Sequence, residues 1–245
     1  MSRRAAAAVA GLVISTLTAC GGDDADTLQV LAASSLTDVF TRLAETFEED
    51  HEDVEVELSF GSSTDLAEQA ADGAPGAVLA TADETTMAIA SDADAANPPT
   101  AFAGNVLVLV TRPGNPAGVA SLSDLEEVTW VRCADEVPCG RSAVELLSSA
   151  GVDVRPDSLE EDARTTLDKV VAGEADAALV YRTDALAVDD AVETIPVPEA
   201  SSVPSSYYVA TLRQAPDGDL AEAFVELVLG ETGVQVLREA GFTTP

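Results

Sequence analysis

The sequence predicts an α/β fold of mostly parallel strands arranged in two lobes. Two observations give the fold class: short β-branched runs alternate with stretches of helical periodicity, and glycines stand where those helical stretches should stop. A third gives the lobes. Pro and Gly cluster at Arg112-Pro113-Gly114-Asn115-Pro116 and again from Val197-Pro198 to Val203-Pro204, cutting the chain into a first part, a middle part and a short return.

Strands are expected at 28–32, 54–59, 77–81, 105–111, 128–133, 177–181, 194–197 and 206–212. Between the first two, Leu36, Val39, Phe40, Leu43 and Phe47 recur at helical spacing, giving a helix with one buried face. Further helices fit 64–72, 84–91, 141–150, 163–172, 219–229 and 232–240, with Gly73, Gly151, Gly173, Gly230 and Gly241 at the expected stops. Lobe 1 is read as 28–110 plus 206–245, and lobe 2 as 111–205. The return is too short to be a domain, so its helix, apolar at Leu220, Phe224, Leu227 and Val228, must pack on the first part. Two lobes joined by two crossings suit closure about a hinge. The alternative is one contiguous doubly wound domain.

The first residues carry an address. Met1-Ser2-Arg3-Arg4 is basic, and an uncharged, largely apolar stretch runs from Ala5 to Ala19, so residues 1–19 read as a secretory signal peptide. Leu17-Thr18-Ala19-Cys20 resembles the lipobox of bacterial lipoproteins. That resemblance implies that Cys20 becomes the first mature residue and carries acyl chains, enough for stable anchoring outside the cytoplasm. Residues 20–27 are then the lipidated cysteine and a flexible charged tether.

The 245-residue chain holds 44 acidic and 12 basic residues, a formal charge of −32. Removing residues 1–19 takes two arginines and no acids, which lowers the charge to −34. Nucleic acid is excluded as a partner on this balance. An anion would be repelled at long range, so any anion site must work through local fields, helped by screening over about 8 Å at physiological salt. The run Glu48-Glu49-Asp50-His51-Glu52-Asp53 holds the single histidine and lacks metal-ligand spacing; it reads as a solvated helix end. Cys133 and Cys139 form an even pair in an oxidising compartment, which predicts a disulfide rather than two buried thiols.

Two segments look alike. Val30-Leu31-Ala32-Ala33-Ser34-Ser35-Leu36-Thr37-Asp38 and Val56-Glu57-Leu58-Ser59-Phe60-Gly61-Ser62-Ser63-Thr64-Asp65 are each a strand running into serines that open a helix. In a parallel sheet both turns lie at one edge, and two helix N-termini can face one crevice. Free N–H groups and an effective charge of about +0.5 make each a site for an anion without a lysine or arginine. The plainer reading is that Ser35 and Ser63 are N-caps, Ser35 with Asp38 in S-x-x-D spacing. Capping and ligand binding compete for the same groups.

Eight segments in register extend the pattern: Ala32 to Thr37, Phe60-Gly61-Ser62-Ser63, Gly73-Ala74-Pro75-Gly76, Thr81-Ala82-Asp83, Gly104-Asn105-Val106-Leu107-Val108, Val137-Pro138-Cys139-Gly140, Val180 to Ala185, and Gly241-Phe242. In this order the chain resembles the molybdate-binding protein of bacterial ABC transporters over essentially all of residues 20–245. The resemblance implies the two-lobed periplasmic-binding-protein fold (type II) with a ligand cleft between the lobes. It implies molybdate or tungstate as ligand, no cofactor, no catalysis, an ABC permease with its ATPase as partners, and a monomer. It also implies an oxyanion held by the hydroxyls of Ser35 and Ser63, the amides of Cys139 and Ala163, and the phenol of Tyr181. Locally, Asp162 suits an N-cap before Ala163, and a bond from Cys133 would stiffen the loop that carries Cys139.

The sequence departs from the family at Ala77, where an aspartate is usual, and at Cys139, where a smaller residue is usual. Asp38, Arg141, Arg164 and Arg182 lie near the inferred contacts and would change the charge of the site if they reached it. Three other functions compete. A serine hydrolase would need His51, remote from both serine turns, and no G-x-S-x-G elbow is present. A ferric-ion site could use Tyr207-Tyr208, but neighbours on a strand face opposite ways. Sulfate, thiosulfate or phosphate could replace molybdate; an all-donor pocket rejects hydrogen phosphate by leaving its proton unpaired.

Overall fold

The computed structural model describes residues 26–245; the expected signal peptide, Cys20 and the tether as far as residue 25 lie outside the described residues. Ten strands form two five-stranded sheets. The first contains β1 (Asp26–Ala33), β2 (Val54–Gly61), β3 (Val78–Thr81), β4 (Thr100–Asn105) and β10 (Ser205–Thr211), in the order β2-β1-β3-β10-β4. The second contains β5 (Leu107–Thr111), β6 (Trp130–Cys133), β7 (Ser158–Glu160), β8 (Ala177–Tyr181) and β9 (Glu193–Ile195), in the order β7-β6-β8-β5-β9. Helices α1 (Thr37–Asp50), α2 (Ser63–Ala71), α3 (Glu84–Asp92), α7 (Gly218–Leu229) and α8 (Glu231–Glu239) accompany the first sheet. Helices α4 (Pro138–Ala150), α5 (Ala163–Val171) and α6 (Arg182–Ala187) accompany the second. Lobe 1 and lobe 2 below denote these two groups.

In each sheet four strands run one way and one runs against them: β10 in the first and β5 in the second. The reversal follows from the crossings. β4 runs toward the cleft and ends at Asn105; after Val106 the chain enters the other sheet and β5 must lead away, antiparallel to β8, with Leu107 opposite Tyr181. β10 repeats this on the way back, with Ser205 opposite Asn105. The strand expected at 105–111 is β5, which begins at Leu107, and Asn105 is the last residue of β4. The crossing thus comes at Val106 rather than after residue 110, which puts residues 107–110, expected in lobe 1, in the second sheet.

Two short strands and one helix were not expected. β7 is three residues long, β4 begins in the weakly patterned Thr100-Ala101, and α6 is a six-residue helix directly after β8. Helix α4 starts at Pro138, not 141, because proline fits the first helical position, where its missing N–H costs nothing. Gly230 is not a left-handed stop; it separates α7 from α8 in extended backbone.

The return packs on lobe 1 through aromatics. Phe224 of α7 meets Phe40 and Phe47 of α1 at ring-centroid distances of 6.0 and 5.4 Å, and Phe40 meets Phe102 of β4 at 6.2 Å. The core thus ties the first helix, the strand before the crossing and the C-terminal helix into one body. Ala77, one of the departures, is buried in that core rather than at a site.

Candidate functional site

Strands β1 and β2 pair in parallel with Ala33 opposite Gly61, so the turns that follow them sit side by side at the carboxyl edge of the sheet. After β1 comes a 3-10 turn, Ser34–Leu36, that runs into α1; after β2, Ser62 precedes α2. From the other lobe, the chain after β6 opens α4 at Pro138-Cys139, and the chain after β7 opens α5 at Ala163. β8 ends at Tyr181. These pieces enclose one small cavity lined by Ser35, Ser62, Ser63, Cys139, Ala163 and Tyr181, with Ala33, Ser34, Gly61, Ala82, Val137, Pro138 and Asp162 completing the wall. It offers ≈ 10 Å³ to the centre of a water-sized sphere, the room of one compact group. Among the described residues, no lysine or arginine lines it.

Four helical starts, two from each lobe, thus face one point. The first N–H groups of a helix have no carbonyl within it, and each start carries an effective charge of about +0.5. Neither serine is a cap. Ser35 lies within the 3-10 turn and its hydroxyl meets the Tyr207 hydroxyl at 2.9 Å. Ser63 is the first residue of α2, and its oxygen accepts the Ala82 N–H at 3.1 Å, which leaves its own O–H free for the cavity. At the N-cap position of α2, Ser62 makes no capping bond, and its buried hydroxyl has no partner. The Asp162 carboxylate is engaged by the N–H and hydroxyl of Thr165, so it caps α5 and leaves the Ala163 amide uncovered.

Cys133 and Cys139 form a disulfide across six positions, with Cα atoms 5.7 Å apart. Gly140 makes the loop possible: a Cβ there would stand 1.7 Å from the Ala134 carbonyl oxygen. Tyr181 is buried and accepts a hydrogen bond from Ser205 at 3.2 Å, while Ser205 meets Ser142 at 2.9 Å. Burial pushes the Tyr181 phenol far up from its ordinary value, so it stays a neutral donor. Tyr207 is raised well above its ordinary value for the same reason.

The charged neighbours lie on the rim. Arg141 of α4 binds Asp83 of lobe 1 at 2.7 Å. Arg164 of α5 reaches Asp38 of α1 and, at 3.0 Å, the buried Asp184. Arg182 donates to the Gly241 carbonyl, and Thr64 donates to the Glu136 carbonyl at 2.9 Å. Each of these four residues makes a contact that crosses from one lobe to the other, and the cleft is shut.

His51 stacks on Phe47 with centroids 4.0 Å apart at the far end of α1, a 14-residue helix and so roughly 20 Å from Ser35. Tyr207 and Tyr208 do not converge, although the pairing with β4 shifts register between them: Tyr207 is buried beside Ser35, whereas Tyr208 packs in a separate apolar cluster. Among the described residues, no group of three or more histidine, cysteine or acidic side chains could hold a metal ion. Sequence reasoning assigned no role to Ser62 or to the second layer formed by Asn105, Ser142, Tyr207 and Ser205. Ser62 and Asn105 stood in segments that carry the resemblance, and Tyr207 was half of the Tyr-Tyr pair; Ser142 and Ser205 gave no signal.

Residues 28–243 match the model of the bacterial extracellular solute-binding protein family. The chain belongs to that family. This solute-binding protein is 34% identical to the molybdate-binding protein ModA of Mycobacterium tuberculosis over 97% of its own length and 96% of the relative's. It is 29% identical to a putative ABC transporter substrate-binding lipoprotein, YvgL, of Bacillus subtilis, over 89% of its own length and 86% of the relative's. Its fold is similar to that of the periplasmic molybdate-binding protein of Azotobacter vinelandii, with a TM-score of 0.76 at 20% identity over 89% of this chain and 99% of that one.

Proposed function

We propose that this solute-binding protein captures a fully deprotonated tetrahedral oxyanion, molybdate or tungstate, and delivers it to an ABC permease powered by its ATPase. One observation carries the reading: the shut cavity is faced by four helix starts and by hydroxyls free to donate, with no cation on its wall. Such a site binds an anion through dipoles and hydrogen bonds alone. In this reading Ser35 and Ser63 donate hydroxyls, Cys139 and Ala163 donate amides, and Tyr181 donates its phenol. The name of the Mycobacterium relative supports molybdate over sulfate.

The ligand is held by both lobes at once, so its binding free energy favours the shut state over an open one. The protein performs no chemistry on its ligand. Cys20 is proposed as the lipidated residue that holds this monomer outside the cytoplasm, a reading supported by the lipobox resemblance and by the name of the Bacillus relative, a substrate-binding lipoprotein.

Titration calorimetry of the full-length protein in detergent, against molybdate, tungstate, sulfate and phosphate, tests the ligand. Molybdate and tungstate should bind tightly and phosphate hardly at all. Phosphate binding as tightly as molybdate would overturn the assignment, and sulfate binding tightest would move it to another oxyanion.

A further inference from the structure

The Ser35 hydroxyl can serve the cavity as a donor or as an acceptor, and the residues behind it decide which. Asn105, at the end of β4, is buried, and its side-chain carbonyl accepts the Val106 N–H at 3.0 Å. That bond turns its amide nitrogen the other way. The two N–H groups of that nitrogen then have two partners, the Thr183 hydroxyl at 2.8 Å and the Tyr207 hydroxyl at 3.4 Å. An amide nitrogen donates and does not accept. Tyr207 must therefore accept from Asn105 and send its own proton elsewhere, and among the described residues the acceptor it meets is Ser35 Oγ at 2.9 Å. Ser35 receives that proton, and its own is left for the cavity.

We infer that Asn105 and Tyr207 form a one-way relay that occupies one lone pair of Ser35 and frees its O–H for the ligand, and that this relay is a determinant of selectivity against protonated oxyanions. The inference rests on the oxyanion reading above and adds residues to it. Without the relay Ser35 could turn its lone pair inward and accept the proton of hydrogen phosphate. With the relay in place Tyr207 takes one lone pair and the Ser35 O–H is offered to the ligand, so accepting a ligand proton there means turning that O–H away from the oxyanion, and a proton left unpaired in a buried site is costly. Tyr207 is fully buried, and its ring is held edge-on by Phe102, Phe242 and Tyr181 at centroid distances of 6.3, 5.3 and 5.8 Å, so its hydroxyl has little freedom to leave Ser35. Tyr207 touches no ligand in this scheme; it is a positioning residue. Tyr181 has a parallel arrangement, receiving a proton from Ser205 and sending its own inward.

Tyr207→Phe keeps the ring and removes the relay. In calorimetry at neutral pH it should weaken binding of the unprotonated oxyanion several-fold and narrow the ratio of that affinity to phosphate affinity by tenfold or more. A residue that only packs would lower both affinities together. Ser35→Ala is the control, because Tyr207→Phe added to it should change the ratio no further if the effect passes through Ser35. An unchanged ratio in Tyr207→Phe, or the same change in the Ser35→Ala background, would overturn the relay. The parent's own ranking tests the ligand reading separately: if sulfate proves the preferred anion, the ratio is taken against sulfate and the test stands. If the parent prefers phosphate, both readings fall. Should Tyr207→Phe not fold, Asn105→Leu removes the upstream donor and is expected to narrow the ratio in the same direction.

Discussion

Tyr181→Phe is the most direct test of the shut cavity as a binding site. Tyr181 comes from lobe 2, whereas Ser35 and Ser63 come from lobe 1, and all three line one cavity, so in the proposed site its hydroxyl would join the ligand's two halves of contact. The phenol accepts from Ser205, and burial raises it far above its ordinary value, which favours the neutral, donating form. Phenylalanine retains the ring and its edge-on contact with Tyr207 and deletes one donor. A hydrogen bond to a charged group contributes about 1.5–3 kcal/mol. At 1.4 kcal/mol per decade, molybdate affinity should fall roughly 10- to 150-fold. Ser205 keeps Ser142 as a partner, so folding should be affected less than binding. Calorimetry gives the affinity and thermal unfolding of the ligand-free protein gives the stability. Small-angle scattering at subsaturating molybdate should show less compaction in the variant than in the parent. Equal affinity in parent and variant would refute the reasoning and leave Tyr181 a core residue.

Cys133→Ser opens a short loop whose closure is worth about 2 kcal/mol in the chain-entropy model, and it frees the Cys139 amide; oxyanion affinity should fall while the fold persists, as read by calorimetry beside thermal unfolding. Gly140→Ala forces its Cβ against the Ala134 carbonyl and should displace the start of α4, lowering affinity at least tenfold without loss of helical circular dichroism. Asp184 is fully buried, and desolvation pushes its carboxyl from 3.8 up to about 7 despite Arg164, with Asp162 and Asp38 adding to the rise. A raised folded-state value means stability that is fully present below the unfolded value and is lost as pH rises through the folded one. Melting temperature should therefore fall between pH 4 and 7 through this group, and Asp184→Asn should flatten that slope; an unchanged slope would remove Asp184 as its source.

The α/β class and the helices with strong apolar periodicity were legible because burial imposes that periodicity directly. Helix α1 and the turn before it show it at Leu36, Val39, Phe40, Leu43 and Phe47, all buried. The break at Val106 was not legible: residues on either side are buried for different reasons, one in each sheet, and hydropathy does not record which sheet covers a residue. The paired serine turns were visible as a repeated strand-serine-helix pattern, and the registered pairing of Ala33 with Gly61 is what makes the repeat matter. Asn105 stood in one of the segments that carry the resemblance but without a role, and Ser205 and Ser142 carried no signal, since isolated polar residues at strand and helix ends are common. They matter through hydrogen bonds between residues 24 to 102 positions apart, which no local pattern encodes.

The two crossings leave the first sheet at Asn105 and return to it at Ser205, and those residues are paired neighbours. Lobe 2 is thus an insertion with adjacent ends, while both β1 and α8 belong to lobe 1. A pull on either described end of the chain would load lobe 1 alone. Tethered at its N-terminal side, the protein would behave as a fixed jaw carrying a moving one, able to open and shut without straining its attachment.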